Sequence, residues 1–320
     1  MKIVARRKVI AGAAPDKGVL KKQLPSASQC ELKRLQPQCS HSNDPDYFGA
    51  RALPKVIVVV SANAGDGRTT VVTNLAAALG ERNRIALLID TASERPNLHR
   101  AMGLTRRGDL SGLLAGQCTI GEILIPGPHH TQILPSFTDG IRRLPLSVLE
   151  QAMIVWSADA LQGRWDAVLM DTDAAADRKV LTLVRAAHHV VVVVCDSRAS
   201  RRGTLALIER LSSEHGVHRF KVVTNRTPTR SGGYELYRRL LDASDALPDV
   251  VLEYAGAIPR DLSITHSNRK RQSVVDFSPD GEATQAFRDL AGEIEGWSAP
   301  TDLRGQIEFF TEWLMKTQRA

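Results

Sequence analysis

Between Lys55 and Leu79 the chain passes from an unbroken β-branched run, KVIVVVS, through SANAGDGRTT, into VVTNLAAAL. This succession constrains the fold more than any other stretch. A continuous apolar run of strand length predicts a strand buried on both faces, as in the middle of a parallel sheet. Thr69–Leu79 reads as a helix. A Gly-rich turn from such a strand into a helix leaves backbone N–H groups free to surround a phosphate. The alternative is an ordinary strand-to-helix turn built of small residues.

The same alternation continues. Strands are predicted at Arg84–Asp90, Thr131–Pro135, Asp166–Asp171, His189–Cys195, Phe220–Thr224 and Val250–Ala257. Helices are predicted at Ser147–Leu161, up to about Ala187, and at Arg201–Ser213, Tyr234–Leu241, Asp280–Trp297 and Gln306–Gln318. Strand-helix alternation of this kind implies an α/β fold with a doubly wound, mostly parallel sheet in a single domain. Residues 1–53 show no sustained hydrophobic period and hold four prolines. They read as a flexible basic arm, leaving 54–298 as the folded domain and 299–320 as a C-terminal amphipathic helix.

Charge placement narrows the function. The net charge is +7. Residues 1–54 hold ten Lys/Arg against four Asp/Glu, and the remainder holds 32 against 31. The basicity therefore belongs to the arm, and nucleic acid is not an expected partner of the body. No apolar run reaches the ~18 residues that cross a bilayer. No signal-peptide core follows the basic start. Four scattered cysteines, Cys30, Cys39, Cys118 and Cys195, form no CxxC pair. The expected location is the cytoplasm.

The turn can be set against the Walker A pattern G-x-x-x-x-G-K-[ST]. Gly67 and Thr69 fit, while Ala62 stands for the first Gly and Arg68 for the Lys. SANAGDGRTTVVTNLAAAL resembles the deviant Walker A segment K-G-G-x-G-K-T-T of the MinD/ParA ATPases. Leu88-Ile89-Asp90 is similar to that family's L-I-D-A-D, and Asn97-Leu98 falls where many members have Asn-Leu. VRAAHHVVVVVCD, EHGVHRF, ELYRRLL, YAGAIPRD and GQIEFF resemble the flagellar-number regulators FlhG, also called FleN, over about residues 55–315.

The resemblance implies ATP or ADP with Mg²⁺ as cofactors. It implies that Gly65, Asp66, Gly67, Arg68 and Thr70 line the phosphates and that Thr69 offers its hydroxyl to the metal. Asp90, on the metal side as well, would be the first switch I Asp, and Asp171 would hold Mg²⁺ through water. Asn225 would read the adenine, and Ile258-Pro259 would pack against the base. The implied partners are an FlhF-like GTPase, a transcription regulator or a flagellar switch component, with a nucleotide-dependent homodimer. The implied activity is ATP hydrolysis.

Several positions depart from the family. Its signature Lys is Asn63, its P-loop Lys is Arg68, its second switch I Asp is Ala92, and its switch II Gly is absent from Asp171–Ala176. Phosphoryl transfer rests on placing charge and water around the transferred group. Loss of one such donor costs ~10²–10³ in rate. An arginine keeps the charge of a lysine but not its shape. The expectation is nucleotide binding with weak or lost hydrolysis.

Other signals are weaker. The last helix sets Ile307, Phe309, Phe310, Trp313 and Leu314 on one arc. That arc predicts either a dock on the body or peripheral contact with the inner membrane, although the opposite face is not Lys/Arg-rich. Arg198–Arg202 and the loop Arg226–Arg230 add local positive charge, read as solvated surface or an acidic-partner contact. SQCELKR near the N-terminus is only partly similar to the motif by which FlhG proteins activate FlhF. An active ATP-dependent switch is one alternative. A capsule-type bacterial tyrosine kinase is another, suggested by RPNLH and DLSGLLAGQ, but the chain has no tyrosine cluster.

Overall fold

The computed structural model describes residues 54–91, 98–106, 108, 110–115, 117–135, 165–172, 184, 187–247 and 249–298. The arm, the 147–161 helix, Ala92, Asp173–Ala176 and residues 299–320 lie outside the described residues.

Among the described residues eight strands form one sheet: β1 (Lys55–Val60), β2 (Ala86–Asp90), β3 (Ile125–Pro126), β4 (Thr131–Leu134), β5 (Ala167–Asp171), β6 (His189–Cys195), β7 (Arg219–Thr227) and β8 (Val251–Pro259). Their order is β3-β4-β2-β5-β1-β6-β7-β8. All pairings are parallel except the short β3 against β4. The helices, in chain order, are α1 (Arg68–Glu81), α2 (Leu98–Ala101), α3 (Leu110–Leu114), α4 (Ile120–Ile123), α5 (Arg198–His215), α6 (Arg230–Ser244), α7 (Leu262–Lys270), α8 (Val274–Phe277) and α9 (Glu282–Gly296).

The apolar run of β1 after Lys55 follows from burial on both sides. Val58 and Val60 join a core with Leu207, Ile208, Leu236 and Leu240 of α5 and α6. Ile57 and Val59 join a second core with Leu75 of α1 and Phe287 of α9. Alternate side chains of one strand thus enter opposite layers. The fold class expected from the alternation is the fold observed.

The differences are instructive. Arg226 and Thr227 extend β7, and Arg230 opens α6, so the expected 226–230 loop shrinks to two residues between strand and helix. The polar side chain of Thr229, the N-cap, accepts from Gly232 N and starts the helix four residues before its apolar stripe becomes legible. The helices α7 and α8 were not expected. They are too polar or too short for a hydrophobic period, and are set by caps: Asp261 accepts from Ser263 N and Ser273 from Asp276 N.

Candidate phosphate-binding site

A parallel sheet brings the carboxyl ends of its strands to one edge, and β1 sits where the connections diverge to either side. At that edge stand the loop after β1, Asp90 closing β2, Asp171 closing β5, Cys195 closing β6, Asn225 in β7 and Pro259 closing β8.

The loop depends on glycine. Gly65 has φ +91° and Gly67 has φ +99°, the left-handed region. A Cβ on Gly67 would fall 2.3 Å from Asn225 Nδ2. Gly67 is also the N-cap of α1, with no side-chain cap hydrogen bond and no acidic residue in the first turn. The first-turn N–H groups of α1 are therefore not claimed by a side-chain cap, and the helix dipole favours an anion there.

The loop is braced from behind. Asn225 is 4% exposed and its Nδ2 donates to the Asp66 carbonyl at 2.8 Å, while its Oδ1 accepts from Arg226 N at 2.9 Å. The Cys195 thiol donates to the same carbonyl at 3.4 Å. Burial and then the Asp66 carboxylate push that thiol up to about 11, so it stays protonated and serves as a donor. The Asp66 side chain accepts from Ser200 Oγ at 3.1 Å and from Asn63 N and Nδ2 at 3.3 and 3.4 Å. The Arg68 guanidinium turns back, donating to Ser61 Oγ at 3.0 Å and Ser61 O at 3.3 Å.

The residues expected on the metal side also meet. Thr69 Oγ1 donates to Asp171 Oδ2 at 2.6 Å across 102 residues of sequence. Asp171 is in register with Asp90 of β2 on one side and Val59 of β1 on the other. Asp90 is fully buried and accepts from Leu98 N at 3.2 Å, starting α2. A hydroxyl and a carboxylate at this separation are oxygen donors of the kind Mg²⁺ takes. The residues present therefore fit a nucleotide with its metal: the α1 N-terminus would face the phosphates, Thr69 and Asp171 would hold the ion, and Arg68 would reach the phosphates only by leaving Ser61. When bound, Mg²⁺ neutralises phosphate charge.

Pro259 is buried at the end of β8, where Arg260 N donates to Thr227 O at 2.7 Å. Thr70 receives Asn268 Nδ2 on its hydroxyl at 3.5 Å. Ser200 is a site residue that sequence reasoning missed. It lies 134 positions from Asp66 in the sequence, within a stretch read only for its arginines. The sole local signal was Ser197–Ser200, which the structure resolves as the N-cap pair of α5.

Comparison with known proteins bears on the fold and the family. The family model AAA_31, an AAA domain, matches residues 54–218. The antiactivator FleN of Pseudomonas aeruginosa is 32% identical over 269 residues, covering 84% of this chain and 96% of FleN. The MinD of Pyrococcus horikoshii, solved with Mg-ADP, superposes with a TM-score of 0.64 at 22% identity, covering 76% of this chain and 96% of that one. The MinC:MinD complex of Aquifex aeolicus gives a TM-score of 0.63 at 24% identity, covering 78% and 98%. The matched family segment carries the glycine loop and both strand-end aspartates, and the chain belongs to the AAA-domain family of P-loop proteins, in the MinD/ParA branch that FleN shares.

Proposed function

We propose that this chain is a nucleotide-binding regulator of the FlhG/FleN type, acting on flagellar number or placement, with ATP hydrolysis slow or lost. The observation that carries the reading is the fate of the two positions where the family has lysines. Asn63 is neutral and its amide is held by Asp66, while the Arg68 fork is turned onto Ser61. Neither arrangement projects an ammonium toward a transferred phosphoryl group, whose charge such groups stabilise. The test is phosphate release by the full chain with Mg-ATP. Turnover indistinguishable from background supports the reading, and brisk turnover by the unmodified protein overturns it. In calorimetric titration, Arg68→Ala should remove the ATP and ADP affinity of the parent.

The active-switch alternative keeps one observation in its favour, the intact Thr69–Asp171 pair. Restoring Asn63→Lys together with Ala92→Asp should then raise turnover more than the two single changes combined, since groups acting on one transition state are non-additive. As for partners, the groove between α5 and α6 is lined by Arg198, Arg201, Arg202 and Arg239 over Leu205 and Leu240. Asp196 pairs with Arg201 at 2.5 Å and lies 3.8 Å from Arg239. The surplus of guanidinium suits a regulatory partner with an acidic segment, and Arg202→Glu should weaken its capture. Peripheral membrane contact would fall to residues 299–320, and liposome flotation of Phe310→Glu against the parent tests it.

A further inference from the structure

The phosphate loop carries a carboxylate of its own. Asp66 sits between the two glycines and is 7% exposed. Its Oδ2 accepts only neutral donors: the Ser200 hydroxyl at 3.1 Å, Asn63 N at 3.3 Å and the Asn63 amide at 3.4 Å. Among the described residues no cation pairs with it. Its charge reaches beyond those contacts, because it is the second cause, after burial, of the raised Cys195 thiol.

The shape of the loop does not require that charge. Gly65 and Gly67 set the turn through their positive φ. Asn225 and Cys195 brace the Asp66 backbone carbonyl, not its side chain. A neutral side chain able to accept from Ser200 would keep a tie between α5 and the loop, though a weaker one. The carboxylate adds something else: a negative charge packed between α5 and the back of a loop whose other side, at the α1 N-terminus, favours anions. Like charges in a partly buried site repel several times more strongly than in bulk water.

We propose that Asp66 is a specificity-determining residue of the phosphate loop, opposing bound phosphate charge so that the site discriminates against the nucleoside triphosphate relative to the diphosphate. The inference rests on the reading of this loop as a nucleotide site. It reverses the sign of the role expected for Asp66: the backbone supports the ligand and the side chain resists it.

The experiment is calorimetric titration of the full chain with Mg-ATP and with Mg-ADP, for the parent, Asp66→Asn and Ser200→Ala. Asp66→Asn keeps an acceptor for Ser200 and removes the charge. It should tighten ATP by about tenfold and ADP by about threefold, the gap shrinking as salt is raised. Ser200→Ala removes the tie and keeps the charge, so it should weaken both nucleotides alike or leave both unchanged. Weaker or unchanged binding in Asp66→Asn, or an equal gain for ATP and ADP, overturns the proposal while nucleotide binding by the parent still stands. A parent without measurable affinity beside an Asp66→Asn variant that binds ATP supports it. Absence of binding in both overturns the proposal and the nucleotide reading together. If Asp66→Asn melts early, Asp66→Ser carries the same comparison.

Discussion

The two edges of the sheet are held in opposite ways. At the amino-terminal edge the protein satisfies its own charges and helix ends. Lys55 Nζ donates to the carbonyls of Ile294 and Glu295 at 2.8 and 2.7 Å, closing the C-terminus of α9 with a cation. Arg82 and Arg84 both donate to the Glu295 carboxylate, and those bonds hold its carboxyl below the usual range. His189 packs on Trp297 with ring centroids 4.9 Å apart, and Lys221 lies over the same indole. At the carboxyl edge, by contrast, α1 begins with no side-chain cap. A closed edge contributes stability, whereas an edge with unclaimed donors is available for a ligand.

Substitutions should separate these roles. The largest effect is expected from Gly67→Ala. A Cβ at φ +99°, 2.3 Å from the Asn225 amide, must displace loop or brace. Stability should fall by about 2–4 kcal/mol, and nucleotide affinity by about 100-fold or more. Denaturant melts and calorimetry read the two separately. Retention of affinity would show that the glycine turn does not shape the ligand site.

Acid should strike the closed edge next. Burial, then the neighbouring Lys221 charge, pushes His189 down to about 4. Its unfolded value lies near ~6.5. The folded state therefore resists a proton that the unfolded state accepts. Stability should be intact above ~6.5 and decline as pH falls toward ~4, by about 1–2 kcal/mol once screening of the half-exposed ring by solvent is allowed for. In His189→Asn that part of the decline should vanish. An unchanged pH profile would assign the acid sensitivity elsewhere.

Lys55→Met should cost about 2 kcal/mol, because two charge-assisted bonds and a helix C-cap are lost together. The side chain is already partly desolvated, which lowers its pKa. Nucleotide affinity should stay within about twofold. A large loss of affinity would mean that the two edges communicate. The smallest effect is expected from Arg84→Gln, below about 0.5 kcal/mol, since the side chain is 48% exposed and Arg82 still holds Glu295.

The sequence alone determined what depends on near neighbours. β1 is legible because an unbroken apolar run follows Lys55, and α1 because the glycine turn that starts it is adjacent to it. The glycine turn, Thr69 and both strand-end aspartates were legible for the same reason: each follows a strand that announces itself, and a parallel sheet sends every such end to one edge. The tertiary structure alone decided what joins distant segments. Asn225 fits a strand end in the sequence, yet its amide braces a loop 159 residues away. Asp66 reads as one loop residue among several until α5 folds back and Ser200 meets its carboxylate. Glu295 looks like ordinary helix surface until Arg82 and Arg84 arrive beside it. Hydrophobic periodicity fixes which face of an element is buried, but hydrogen-bond partners are chosen by distance in space, which linear spacing does not encode.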